Sequence, residues 1–266
     1  MSNVTNINIT LFQTFIHWED ITANLSALEE KIWNINTKTD VIVLPEMFNT
    51  GFTMNVQKCA EPMNLTTLKW MKQMAAQTGA VITGSFIVKE KNDYFNRLFW
   101  VQPDRTFYYY DKKHLFTIAN EHLYFKSGKE KLIIEYKGWK ICPLICYDLR
   151  FPVWSRNRFD KEAFDYDILL YVANFPQTRI QAWDILLPAR AIENLSYSVG
   201  VNRIGTDGNN ILYNGHSAAY DYKGNQLLFC GEEENIENIS LDFYKLQEYR
   251  KKFPAHLDAD SFTFVI

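Results

Sequence analysis

No apolar run in this 266-residue sequence approaches the roughly 20 consecutive residues that a bilayer-spanning helix needs, so no membrane partner is expected. Cysteine is scarce too. Four in a chain of this length do not build the disulfide framework of a small secreted protein, and a reducing compartment is expected. Met1 to Phe15 lacks the basic start and small-residue cleavage site of a signal peptide, which points to the cytoplasm. Charge of one sign is also missing: 28 basic against 31 acidic residues leave a net charge of −3, with no electrostatic footprint for nucleic acid. The 11 glycines and 8 prolines nowhere gather into a linker, and no repeat or low-complexity tract appears. A single domain is expected, with its core over about residues 5–243 and a tail over 244–266.

What is present is a large apolar complement, 47% hydrophobic and 15% aromatic, enough for a sizeable core. Strand and helix signals alternate. Ile7–Phe12 reads as a strand; from Asp20 a helix follows, with Leu25, Leu28, Ile32 and Ile35 on one apolar face. Val41–Leu44 is a continuous apolar run, the mark of a strand buried on both faces, and it ends in Pro45-Glu46. Leu65, Leu68, Met71 and Ala75 mark a second helix that stops near Gly79. Strands are predicted over 80–88, 97–102, 106–110, 131–136, 140–146, 168–172, 198–202, 217–222 and 226–229. A helix is predicted over 180–195, and Pro188 should kink it or mark a boundary. This alternation gives an α/β layered domain, in which ligand sites lie beyond the carboxyl ends of strands.

Three segments carry side chains able to do chemistry. Cys146 closes the apolar run 141–145 at a strand-to-helix turn, where backbone N–H groups and the helix dipole favour a thiolate over a free thiol with pKa near ~8.5. The bland alternative is an inert core cysteine, which is the reading for Cys142. The Cys142–Cys146 spacing has no second pair to complete a zinc site, so no metal is expected. Glu46 directly follows an apolar strand, where a carboxylate needs a partner, a task or solvent. In Tyr110-Asp111-Lys112-Lys113-His114-Leu115-Phe116 a lysine beside apolar flanks can face a developing oxyanion; the alternative is a surface basic pair. His114 is the base that a Cys–His hydrolase would use, against a structural hydrogen-bonding role.

Taken in order, Val-Ile-Val-Leu-Pro-Glu-Met-Phe, Tyr-Asp-Lys-Lys-His-Leu-Phe and Leu-Ile-Cys-Tyr-Asp-Leu-Arg-Phe-Pro resemble the three motifs of the nitrilase superfamily of carbon–nitrogen hydrolases. The segments 120–128, 171–176 and 189–194 resemble further blocks of that family, and the likeness runs over essentially the whole chain. It implies an α-β-β-α sandwich that pairs into a homodimer, with the tail at or near the interface, and it implies no cofactor. It also implies roles: Cys146 as nucleophile, Glu46 as general base and acid, Lys112 as oxyanion-stabilising cation, Glu121 as the second glutamate, and the Tyr147 N–H in the oxyanion hole.

Within the superfamily the segments 151–157, 200–208 and 253–260 resemble the bacterial omega-amidases, whose members release ammonia from 2-oxoglutaramate and 2-oxosuccinamate. The small-molecule amide expected as substrate therefore carries a remote carboxylate, which needs a cation. Arg179, just past Asn174-Phe175-Pro176, is the candidate, with Phe175 as an apolar wall and Asn174 beside it. Arg150 is read either as touching substrate or as holding its loop through a carboxylate; Arg190 and Glu193 are read as a structural ion pair. The competing readings are a nitrilase, an aliphatic amidase, an N-carbamoyl amino-acid amidohydrolase, and an inactive scaffold on the same fold.

Overall fold

The computed structural model of the protein describes residues 4–160, 162–260 and 262–263. Its first sheet is begun by β1 (Ile7–Gln13), β2 (Val41–Val43), β3 (Val81–Glu90), β4 (Asp93–Val101) and β5 (Phe107–Asp111). The second holds β6 (Ile134–Tyr136), β7 (Trp139–Ile145), β8 (Ile168–Ala173), β9 (Tyr197–Asn202), β10 (Ala218–Tyr220) and β11 (Gln226–Phe229). The chain then returns as β12 (Asn235–Leu241) to the open edge of β1. The strand orders are β12-β1-β2-β3-β4-β5 and β11-β10-β9-β8-β7-β6, with the short strand Glu61–Pro62 added beside β3.

The two sheets share one internal pattern. Three neighbouring strands run parallel in each (β1, β2, β3 and β7, β8, β9), and every other pairing on these paths is antiparallel. Parallel neighbours require crossovers, and three of these carry the long helices α1 (Ile21–Trp33), α2 (Thr66–Thr78) and α3 (Ile180–Asn194). A fourth, α4 (Phe243–Lys252), follows β12. Asp20 caps α1 by accepting from the Ala23 N–H at 3.0 Å, and Gly79 ends α2 at φ +68°, a conformation that glycine adopts without a Cβ penalty.

Alternation along the strands sets the layers. Ile42, Leu44, Ile82 and Phe99 join Leu28 of α1 and Met71 of α2 in one core, whereas Val41, Val43, Leu98 and Trp100 join the residues of the second sheet in another. Trp183 and Leu187 of α3 and Leu246 of α4 complete the second core. The result is a single-domain α-β-β-α sandwich.

Several local expectations are corrected. The helix α3 runs unbroken through Pro188. The ring removes only one intrahelical donor, and the fully buried Trp183, Leu187 and Ala191 hold the remainder against the sheet. Ile35 lies beyond the end of α1, the strand predicted over 131–136 begins only at Ile134, and that over 217–222 shrinks to Ala218–Tyr220. β12 and α4 had no clear sequence signal. Within the segment expected as a tail, α4 is docked on the body: buried Arg250 pairs with Asp167 at 2.6 Å and donates to the carbonyls of Leu195 and Tyr166, both at 2.8 Å.

Removing one partner of a buried pair strands the other charge. Arg250→Met should lower unfolding stability by about 3 kcal/mol in urea titrations. A change within error would mean that α4 does not secure the body.

Candidate active site

The Glu46 side chain has nowhere to meet solvent. It follows β2, the middle of three parallel strands, and is fully buried, which removes the solvated strand end as a reading. A carboxylate there is tolerable only if its oxygens are satisfied. Oε1 accepts from Lys112 Nζ at 2.8 Å and from Asn96 Nδ2 at 2.8 Å; Oε2 accepts from the Asn174 N–H at 2.9 Å. Lys112, directly after β5, is 1% exposed, so it is no surface lysine. Its ammonium also meets Glu121 Oε1 at 3.1 Å and Oε2 at 3.0 Å.

Glu121 comes from a short helical turn, Glu121–Tyr124, and is held by the Phe116 N–H at 2.5 Å. Burial alone would depress the Lys112 ammonium, but Glu121 and Glu46 hold it above its ordinary range. Burial pushes the Glu121 carboxyl up; Lys112 pulls the other way and the negative charge of Glu46 adds to the rise. The cluster therefore combines two carboxylates with one permanent cation.

Cys146 opens the 3-10 turn Cys146–Arg150 immediately after β7. Its φ of +45° lies in the left-handed region, a strain of order 1–3 kcal/mol for a residue with a side chain. The turn is held shut by fully buried Asp148, which accepts from the Ile145 N–H (3.0 Å), the Tyr110 hydroxyl (2.8 Å) and both the N–H (3.0 Å) and Nδ1 (2.8 Å) of His114. Arg190 Nε and Nη2 donate to the Leu149 carbonyl at 3.0 and 2.6 Å, and Arg190 also pairs with Glu193 at 2.9 Å. The strand thus delivers the thiol onto a strained, over-determined bend. The Tyr147 N–H lies in the first turn, where a helix leaves its amides without intrahelical acceptors.

The thiol donates to the Asn174 carbonyl at 3.8 Å, and both Glu46 and Lys112 act on it electrostatically. Burial, seconded by the negative charge of Glu46, raises its pKa well above the ordinary thiol value against the pull of Lys112. This corrects the expectation of a stabilised thiolate: amides and a turn dipole do not outweigh desolvation beside a carboxylate. His114 is engaged with Asp148 and stacked on Phe151 at 3.7 Å between ring centroids, so it supports the bend beneath Cys146.

Lys112 and Cys146 form part of the wall of a cavity of about 510 Å³, lined also by Tyr147, Asn174 and Phe175 among others. Arg150 and Arg179 also face it. Among the described residues neither is ion-paired: Arg179 lies 5.0 Å from the Phe116 ring and Arg150 5.7 Å from the Phe175 ring. The loop-holding carboxylate considered for Arg150 is absent among the described residues; Arg190 does that work. Asn174 Nδ2 is spent on the Glu46 carbonyl, and Asn202 grips the neighbouring Phe175 through its N–H at 2.8 Å and its carbonyl at 2.9 Å. Among the described residues no group of three His, Cys, Asp or Glu side chains is arranged to hold a metal ion.

Sequence reasoning missed Asn96, Asp148 and Asn202. Each is a polar residue in or beside an apolar strand, a signal that marks an anomaly without naming its partner.

Residues 8–251 match the carbon-nitrogen hydrolase family. The chain is 43% identical to the omega-amidase YafV of Escherichia coli K12 over 258 residues, covering 96% of this chain and 98% of that one. It is 32% identical over 253 residues to the 2-oxoglutaramate amidase of Bacillus subtilis, covering 94% and 96%. Among solved structures, the CN-hydrolase superfamily protein XC1258 of Xanthomonas campestris, which carries an arsenic adduct in its active site, superposes with a TM-score of 0.96 at 42% identity, covering 98% and 100%.

The raised thiol gives a spectroscopic prediction. The 240 nm absorbance difference between the protein and Cys146→Ser should show no thiolate step below about pH 9, beyond the ordinary thiol value of ~8.5. Cys59, Cys142 and Cys230, pushed up by burial to about 11, 12 and 12, leave that window clear. A step near neutrality would overturn the electrostatic picture.

Proposed function

The chain belongs to the carbon-nitrogen hydrolase family, and on that footing we propose that it is an omega-amidase. It removes the terminal amide of a 2-oxo dicarboxylic acid monoamide, 2-oxoglutaramate or 2-oxosuccinamate, as ammonia. The carrying observation is the Lys112 ammonium shared by Glu46 and Glu121 at a cavity that also exposes Cys146.

Because the resting thiol keeps its proton, attack and deprotonation are coupled. Cys146 Sγ bonds to the amide carbon as Glu46 takes the thiol proton. The negative charge that develops on the amide oxygen faces the Lys112 ammonium and the Tyr147 N–H, each contributing roughly 3 kcal/mol when well placed. Glu46 returns the proton to the amide nitrogen, the C–N bond breaks, and ammonia leaves a thioester on Cys146. Glu46 then takes a proton from water, whose oxygen attacks the thioester; the thiol leaves reprotonated with the 2-oxo acid as product. Glu121 keeps Lys112 charged and aimed. No step calls on a metal or an organic cofactor.

The substrate end of the reading is supported by Arg179, a cavity cation with no carboxylate of its own among the described residues, and by Arg150, which lines the same cavity. Buried Phe175 supplies an apolar wall for the methylene chain. We extend the reading to a cytoplasmic homodimer. The four cysteines are all unpaired, and Ile185 and Ile192 of α3 stand exposed on the surface, suited to meeting a second copy. Among the described residues no helix is long and apolar enough to cross a membrane.

A panel of small amides tests the proposal. Ammonia should be released from 2-oxoglutaramate but not from nitriles or N-carbamoyl amino acids, and Cys146→Ala should abolish turnover. Equal rates on every omega-amide would defeat the substrate assignment. Arg179→Leu should raise KM roughly 10- to 100-fold with kcat little changed, as expected for lost ground-state binding of a carboxylate. An unaltered KM would exclude Arg179 as the anchor. His114→Ala should leave measurable activity; complete loss equal to that of Cys146→Ala would favour a Cys–His hydrolase.

A further inference from the structure

Asn96 touches every charged member of the cluster. Its Nδ2 donates to Glu46 Oε1 at 2.8 Å and to Glu121 Oε1 at 3.3 Å, and its backbone carbonyl accepts the Lys112 backbone N–H at 3.0 Å. The side chain is fully buried in β4, between Phe95 and Arg97. The orientation of its amide is fixed from behind: Ser85 Oγ donates to Asn96 Oδ1 at 2.8 Å while accepting the Met47 N–H at 2.9 Å. A closed circuit results, running from Glu46 through the Met47 backbone, Ser85 and Asn96 back to the Glu46 carboxylate.

We infer that Asn96 is a positioning residue for the general base, an uncharged amide that fixes one oxygen of each glutamate and leaves Glu46 Oε2 turned toward the thiol. The reasoning is an accounting of acceptors and donors. Two carboxylates share one ammonium, so the Lys112 donors alone leave the facing oxygens under-satisfied. The Asn96 amide adds donors to that junction without adding charge. A second lysine would neutralise the base, and a carboxylate would compete for the ammonium. Oε2 in turn accepts the Asn174 N–H at 2.9 Å, and the carbonyl of that same residue accepts the Cys146 thiol at 3.8 Å. Among the described residues, the titratable groups facing this junction are Glu46, Glu121, Lys112 and Cys146, with Tyr213 and Glu46 acting on each other electrostatically.

The inference rests on Glu46 acting as base and is independent of which amide is the substrate. Asn96→Ala should lower kcat roughly 100-fold, part of what a well-placed base supplies, with KM for 2-oxoglutaramate changed less than about threefold. The acid limb of kcat/KM should move to higher pH, because the variant removes a hydrogen-bond donor that favours the charged form of the base. A role in folding alone would lower the melting temperature and leave the limb in place. Ser85→Ala, which frees the amide to turn, should give the same displacement at smaller size and serves if Asn96→Ala does not fold. Alkylation of Cys146 by iodoacetamide at neutral pH, read by mass spectrometry, needs no amide substrate and should slow in both variants. Glu46→Gln is its reference: alkylation at the wild-type rate there would refute the base itself. Wild-type kcat, acid limb and alkylation in folded Asn96→Ala would overturn the inference about Asn96 while leaving the base intact.

Discussion

A lysine ammonium buried between two carboxylates, with under 2% of its surface exposed, is the constraint that everything else in this molecule serves. Each of these ions gives up several kcal/mol of hydration on burial, and attraction alone restores that only when every remaining oxygen is also hydrogen-bonded. That condition is met by groups from widely separated parts of the chain: Asn96 from β4, the Phe116 N–H from the loop after β5, and the Asn174 N–H from the end of β8. One strand and two loops are thereby locked into one geometry. The arrangement gains specificity more than net stability, since a dry apolar packing of similar volume would serve the fold at least as well.

The same electrostatics dictate the style of catalysis. A thiol next to a carboxylate in a desolvated corner is pushed toward its protonated form, so the proposed nucleophile is held in reserve. Enzymes that store a ready thiolate beside an imidazolium expose a strong nucleophile to any passing electrophile. In the proposed mechanism proton removal waits for a carbonyl to accept the sulfur, and the ammonium that would stabilise the tetrahedral oxyanion is already in place. The strained φ of Cys146 and the four hydrogen bonds on Asp148 keep the sulfur from relaxing into the core.

Much of this was legible in the sequence, and the part that was not has a physical reason. Apolar runs ending in Glu46 and Cys146 marked buried strands because burial on both faces erases alternation, and those strands are β2 and β7. The antiparallel edge β12 was missed because Asn235–Leu241 is largely polar and half-buried, and is held in the sheet by its pairing with the distant β1. Pro188 misled for the opposite reason: local propensity was overridden by the packing of Trp183 and Leu187. At the site, charged residues were found through their motifs, whereas Asn96 and Asn202 act through pairings between segments far apart in sequence. Hydrogen-bond geometry of that kind leaves no periodicity to read. The thiolate expectation failed because it weighed the dipole at the start of the turn and could not weigh a carboxylate exactly 100 positions away in the chain.

The shared strand pattern of the two sheets has a consequence for when reactivity arises. Glu46, Lys112 and Asn96 hang from the first sheet, and the Cys146 sulfur hangs from the second. Synthesis delivers the first set complete before residue 146 exists, yet the two halves meet only after the sandwich closes, since β12 must come back from the far end of the chain to finish the first sheet. A nascent or half-opened polypeptide consequently carries an ordinary, unassisted cysteine. Closure of the sandwich is what brings the Glu46 carboxylate and the Lys112 ammonium to bear on the sulfur.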